Sequence, residues 1–360
     1  MNRIPDQPIK GRGAVSNTEG RFESLRVERM HDGWDLLEEL PSAPQTTVTA
    51  ETAKSIISRN DSPDIPYDQS INPYRGCEHG CVYCFARPTH SYLNLSPGLD
   101  FETKLFYKDN AAVLLEKELR KPGYQCSAIN LGSSTDPYQP IEKKLMVTRS
   151  LLEVLARFQH PTTVLTKSAL VERDIDLLAE MASKQLVSVA ISITTMRDEL
   201  KRTLEPRAAS VAARFKAVRR LRDVGIPVFV LFAPVIPYVN DSELEQVIEA
   251  AAEAGAQGAN YVFLRLPHEL KEIFREWLQV HVPQRAEHVM SIVQQSRGGK
   301  DYDAAWGQRM RGQGVFADLI KQRFLLACRR HQLHNRAVWR LDTTKFSVPP
   351  TSGDQMGLDF

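Results

Sequence analysis

Three of the chain's five cysteines, Cys77, Cys81 and Cys84, stand at C-x3-C-x2-C spacing in a stretch that also holds Gly76 and Gly80. Glycine lets a loop wrap, so three thiolates this close can converge on one small object, and clustered cysteines hold zinc or iron–sulfur. A [4Fe–4S] carrier uses four cysteines, so three would leave one iron open to a non-protein ligand. Other outcomes share the spacing. Zinc could complete a Cys3His set with His79 or His90, a closed cluster could recruit Cys126 or Cys328, or the thiols could simply pack as small hydrophobes.

The spacing, with Tyr83 just before the third cysteine, resembles the signature of the radical S-adenosylmethionine (SAM) superfamily. The resemblance implies that Cys77, Cys81 and Cys84 bind three irons of a [4Fe–4S] cluster and that the fourth chelates the amino and carboxylate groups of SAM. It implies reductive cleavage of SAM to a 5′-deoxyadenosyl radical, an external reductant such as flavodoxin or ferredoxin, and Tyr83 near the adenine.

The elements that must position such a loop have room to form, since 360 residues with 42% hydrophobic and 25% charged content suffice for a barrel or two modest domains. The first thirty residues are polar, and the longest apolar stretch, from Ile226 to Tyr238, is broken by three prolines and too short to span a bilayer. The expectation is a cytoplasmic protein without a membrane partner. The segment from Arg297 to Lys345 holds eleven basic and four acidic residues, while 35 basic and 40 acidic residues lie elsewhere, so a polyanion would prefer the C-terminal part.

Composition divides the chain into a polar, partly disordered leader over 1–60 with a short helix near Asp32–Leu40, a barrel over 61–280, and a basic, mostly helical extension over 281–360. Strand-like runs near 71–74, 126–131, 162–165, 186–193, 227–232 and 260–264 alternate with helical periodicity, six β/α units in all. Alternation of this kind predicts an α/β fold with a parallel sheet and outer helices. The resemblance sharpens it to a partial (β/α)6 TIM-type barrel with N- and C-terminal extensions. Asn110 reads as a helix cap, Pro206 as a helix start, and Asn240 with Glu243 as a capping box.

In such barrels reactive groups follow the strands. Gly132–Pro140 occupies the place of the family's SAM-amino motif, which makes Ser134, Thr135 and Asp136 candidates, although any strand-to-helix turn could use these residues. Lys167 could pair with the SAM carboxylate or be a solvated surface lysine. Ser192 and Thr194 are candidates for the ribose or ordinary strand residues. Glu205 could bind the SAM amine or ribose, or merely favour a helix start. Ile236 sits where the family places adenine contacts. No catalytic residue is assigned.

Within the superfamily, residues 70–265 resemble the spore photoproduct lyase group, through the cysteine loop, Thr135-Asp136, Lys167, Glu205-x-Arg207 and the segment 233–236. One position departs from that group: a cysteine that donates hydrogen to the product radical in the lyase is here Ser133, a far poorer donor. Trp306, Trp339 and Phe346, interleaved with arginines, are candidates for stacking on nucleic-acid bases. The rival readings are a metal-binding module without SAM chemistry and a radical enzyme acting on a protein or peptide.

Overall fold

The computed structural model describes residues 8–22, 44–333 and 340–350. Its strands are β1 (Thr47–Glu51), β2 (Ile57–Arg59), β3 (Gln69–Ile71), β4 (Tyr74–Arg75), β5 (Lys104–Lys108), β6 (Ile129–Leu131), β7 (Thr162–Thr166), β8 (Val187–Ser192), β9 (Val228–Val235) and β10 (Gly258–Phe263). The main sheet has the order β10-β9-β8-β7-β6-β3-β2, parallel throughout except for β2, which runs antiparallel to β3. The six-fold β/α alternation of the sequence is therefore present as six parallel strands in chain order. Because β10 and β2 remain edges, the barrel is partial. A second sheet, β1-β5-β4, lies under the cysteine loop.

The helices are α1 (Leu99–Thr103), α2 (Ala111–Leu119), α3 (Glu142–Leu145), α4 (Val147–Arg157), α5 (Ile175–Ser183), α6 (Asp198–Leu204), α7 (Val211–Asp223), α8 (Leu244–Glu253), α9 (Leu270–His281), α10 (Ala286–Gln295) and α11 (Gly314–Arg330). Alternate strand residues such as Val164, Val189, Ile191, Val230 and Phe232 form one buried core with Leu155, Met181, Leu221 and Ile248 from the helices. Each such side chain contributes about 1.5–3 kcal/mol on burial. The opposite strand faces are more polar: Asn130, Thr163 and Ser188 stand in register, and Thr163 Oγ1 donates to Asn130 Oδ1 at 2.9 Å.

Several local expectations change. Pro206 stands in a bend after α6, a helix the sequence did not suggest; α7 begins five residues later, with Ser210 accepting from Ala213 N at 3.3 Å. Asn110 precedes α2 but turns its side chain to the Ala53 backbone. Asn240 and Glu243 form no capping box, because both side chains are drawn to the ends of β8 and β9. Residues 32–40 and Trp339 lie outside the described residues.

Two segments outside the β/α repeat complete the fold. Residues 13–16, within the polar leader, are buried against the cysteine loop. After α10, the segment 297–313 runs along the β10 edge, where Phe263 N donates to Met310 O at 2.8 Å and Arg311 Nη1 to Tyr261 O at 2.8 Å. It also reaches the turn between β2 and β3 through Gly307 N (2.7 Å) and Arg309 Nε (2.6 Å), which both donate to Asp64. This segment spans the open side of the barrel.

Candidate active site

The cysteine loop follows β3 and β4 at the C-terminal end of the sheet, and its backbone is held from several directions. Cys77 N donates to Phe101 O at 2.9 Å and Val82 N to Leu204 O at 3.0 Å. Gln139, from the loop after β6, accepts from Glu78 N at 2.8 Å and donates to Gly76 O at 3.3 Å. Arg87, fully buried, donates to Cys81 O (2.8 Å) and Gly98 O (2.8 Å) and pairs with Glu102 at 2.5 Å. Glu102 in turn accepts from Gly13 N (3.0 Å) and Ala14 N (2.8 Å). Glycine is required at position 13, because a Cβ there would lie 1.8 Å from the Gly80 carbonyl oxygen.

Cys77 and Cys81 are buried, Cys84 is half-buried, and all three are free thiols. Burial pushes the Cys81 thiol up to about 12, against the pull of Lys167; Cys77 is also raised, by burial and then by Asp136 and the other two cysteines. Cys77 and Cys81 are thereby held as neutral thiols whose protons a metal would displace. A multi-iron cluster takes one thiolate per iron, whereas structural zinc takes four ligands on one ion. The alternative fourth ligands are engaged or distant. His79 Nδ1 lies 3.2 Å from Asp136, and His90 Nε2 meets Lys104 O at 2.9 Å. Cys328 packs in the core on α11, and Cys126 precedes β6 at the other end of the barrel.

Around the thiols, the candidates divide into those that face the site and those that support it. Asn72, not singled out by the sequence, organises the loop after β6: its Oδ1 accepts from Ser134 N (2.8 Å) and Thr135 N (3.3 Å), and its Nδ2 donates to Ser133 Oγ (2.9 Å). Thr135 Oγ1 donates to Tyr74 O at 3.2 Å. Asp136 accepts from Thr166 Oγ1 (2.6 Å), Lys167 N (2.7 Å) and Tyr138 N (2.8 Å). Burial would raise its carboxyl, but His79 and these donors hold it down to about 2. Asp136 thus fixes the Lys167 backbone at the end of β7. The Lys167 ammonium sits 5.8 Å from the Tyr83 ring centre. Burial opposes its charge, yet Cys81 and Glu205 raise it overall, so Lys167 is a cation beside the thiols.

Glu205, completely buried, is the centre of a network. It accepts from Tyr83 OH, from Thr194 Oγ1 at 2.6 Å, and from Arg214, itself only 1% exposed. Arg214 and Lys167 overcome the burial penalty and hold Glu205 down to about 2. Arg214 also donates to Ser192 O at 2.9 Å, and Thr194 Oγ1 lies 3.0 Å from Ala233 O. The Tyr83 hydroxyl is therefore committed to Glu205, and its ring packs with Cys81, Leu204 and Ile236. Asn240 accepts from Ile236 N (2.7 Å) and donates to Thr194 O (2.7 Å), tying β8 to β9. Arg214 and Gln139 escaped the sequence reading, and Asn240 entered it only as a helix cap, because each lies on a helix or turn where its residue type has an ordinary local role.

The base-stacking expectation is altered by packing. Phe346 lies against Tyr124, Phe158 and His160, with ring centres 5.4, 6.4 and 5.4 Å away, whereas Trp306 is 57% exposed. Arg297 is buried and Arg309 and Arg311 are spent on the barrel edge, while Arg329 and Arg330 are exposed.

The profile of the radical SAM superfamily matches residues 71–251. An uncharacterised protein of Mycobacterium tuberculosis is 39% identical over 216 residues, covering 59% of this chain and 64% of that protein. The chain thus spans 64% of the length of the mycobacterial relatives it matches. An uncharacterised protein of Methanocaldococcus jannaschii is 31% identical over 191 residues, 53% of this chain and 68% of that one. Among solved structures, spore photoproduct lyase complexed with dinucleoside spore photoproduct has a TM-score of 0.56 at 14% identity, over 80% of each chain. A mutant of the lyase with bound AdoMet and the same dinucleoside has a TM-score of 0.55 at 14% identity, also over 80% of each. At this identity the likeness concerns the fold.

Proposed function

The chain belongs to the radical SAM superfamily, and from that premise we propose that Cys77, Cys81 and Cys84 hold a [4Fe–4S] cluster and that SAM binds beside it. When bound, this pair supplies reductive cleavage of the sulfonium C5′–S bond and a 5′-deoxyadenosyl radical. The chain's own residues orient the ligand. Lys167, which makes no ion pair among the described residues, is the cation for the SAM carboxylate, and Tyr83, locked through its hydroxyl and packed in one apolar cluster with Ile236, offers its ring to the adenine. Asp136, Ser192 and Glu205 act as supports, since their polar atoms are already engaged within the chain.

The observation that carries this reading is the convergence of three free thiols and Lys167, from separate β/α units, at one end of the parallel strands. Anaerobic purification should give about four irons per chain, an EPR signal that changes on adding SAM, and 5′-deoxyadenosine on reduction. Each of Cys77→Ala, Cys81→Ala and Cys84→Ala should lose the iron. Lys167→Ala should keep it but bind SAM roughly ten- to a hundredfold more weakly, the usual cost of a lost charged hydrogen bond. Stoichiometric zinc without iron would overturn the proposal.

A nucleic-acid substrate is the second part of the proposal, supported by the dinucleoside held by the lyase relatives in fold and by exposed Trp306, Arg329 and Arg330. Ser133 bonds to Asn72 in the place of the lyase's hydrogen donor, so the reaction proposed is not repair of spore photoproduct. Among the described residues no helix is long and apolar enough to cross a membrane.

A further inference from the structure

The arginines buried near the cysteine loop are matched to acids: Arg87 to Glu102, Arg214 to Glu205, and the half-buried Arg309 to Asp64. Arg265, just after β10, pairs with no acid among the described residues. Its guanidinium stacks at 4.8 Å on the ring of Phe85, the residue following Cys84, and that ring is 43% exposed. A guanidinium has five donors suited to carboxylate or phosphate oxygens. Those of Arg265 find a thioether, Met310 Sδ, at 3.6 Å and the Tyr302 hydroxyl at 3.4 Å, while Nε is buried without a partner among the described residues.

A second cation lies beside it. Arg297 is 1% exposed and donates to the carbonyls of Gln308 (2.7 Å) and Leu264 (2.7 Å), with its own Nε unpartnered among the described residues. Burial and then the charge of Arg265 hold it down to about 10. Asp303, which acts on Arg297 electrostatically, spends an oxygen on Ala305 N at 2.9 Å. Tyr67 is also near, its hydroxyl kept neutral by burial against the opposing effect of Arg265. Withdrawing cations from water is costly, and among the described residues that segment sets a phenol and a thioether against the Arg265 guanidinium, while its carboxylate Asp303 acts on Arg297.

We propose that Arg265, with Tyr67, Tyr302 and Phe85, receives an oxyanion of the substrate, a phosphate or a carboxylate, on the open flank of the barrel next to the cysteine loop. The fork of Arg265 would take two oxygens, the phenols would add neutral donors, and Phe85 would offer a flat apolar surface to the adjoining part of the substrate. This assignment rests on the radical SAM reading and names the substrate's end of the same site.

The test is calorimetric titration of anaerobically reconstituted protein with inorganic phosphate and, separately, acetate. At least one anion should bind saturably to the wild type. Arg265→Gln should weaken it at least tenfold and Arg265→Lys severalfold, with iron content and circular dichroism unchanged, while Arg219→Gln, on the exposed face of α7, should bind as the wild type does. The proposal fails if neither anion binds the wild type, or if Arg265→Gln and Arg265→Lys both bind normally. It also fails if Arg265→Gln leaves anion affinity intact but shifts the cluster's reduction potential, which would assign the charge to the cluster. Absence of iron or of 5′-deoxyadenosine in the wild type would instead overturn the radical SAM reading, whatever the titration shows.

Discussion

Glu205 shows how a single side chain sets the chemistry around it. Buried and pulled down to about 2 by Arg214 and Lys167, it stays charged wherever the protein is folded. A carboxylate with a lowered folded-state value contributes stability that is complete above its unfolded value and is lost as pH falls through the folded one. The window here is about pH 4.5 down to 2, and the shift corresponds to roughly 3 kcal/mol. Glu205→Gln should destabilise the metal-free protein at pH 7 by about 3–5 kcal/mol, because it leaves Arg214 buried without its partner. Its stability should then fall less steeply below pH 4.5 than that of the wild type, with Asp136 supplying the remaining slope. Urea denaturation at several pH values measures both effects, and parallel pH profiles would show that Glu205 does not hold this charge.

At the scale of elements, the N-terminal segment is the part of the site furthest from the barrel in sequence. Its backbone donors occupy Glu102, which pairs with the arginine that holds Cys81 O, and Ser16 Oγ donates to Glu276 on α9 at 2.7 Å. Gly13→Ala would place a methyl group 1.8 Å from a backbone oxygen, so the segment must lift away. The expected result is increased proteolysis near residue 13 and faster loss of iron in air, with a stability cost of about 1–3 kcal/mol. Iron retention equal to the wild type would show that the loop holds without this segment. Five of the six strands were legible where they stand, most plainly the apolar run of β8, and the cysteines because ligand spacing is itself a pattern; the first was expected at 71–74, but β3 is Gln69–Ile71, whose Gln and Ser give no core-strand signal. The seating of residues 13–16 was not legible: Gly-Ala-Val-Ser has no period, and its burial depends on Gly80 and Glu102, far along the chain. Asn240 and Glu243 misled for the opposite reason. They match a local cap pattern, but long-range partners at Thr194 and Thr195 win.

For the whole molecule, the question is what the basic C-terminal part is for. A six-stranded parallel sheet that does not close leaves β10 exposed along its backbone, and an unpaired edge is a liability unless something covers it. The segment 297–313 does so, and it engages three of that region's eleven basic residues within the fold: Arg297 donates to Leu264 O, Arg311 donates to Asn260 Oδ1 at 2.6 Å, and Arg309 donates to Ser62 as well as Asp64. The Asp64 side chain is 7% exposed and that of Arg309 19%, so removing the arginine leaves a nearly buried carboxylate without its counter-charge, held by Gly307 N. Arg309→Ala should therefore cost about 3 kcal/mol of stability, visible as an earlier urea midpoint. It should leave the salt dependence of any nucleic-acid binding unchanged. Arg329 and Arg330 lie exposed at the end of α11, with no ion pair among the described residues. If single-stranded nucleic acid is the substrate, replacing both with alanine should reduce the slope of log affinity against log salt by about 1–2, since each neutralised phosphate contributes a little under one. A slope that changes in Arg309→Ala and not in the Arg329/Arg330 double variant would place the contact along the β10 edge and reverse this division between closing the barrel and meeting a partner.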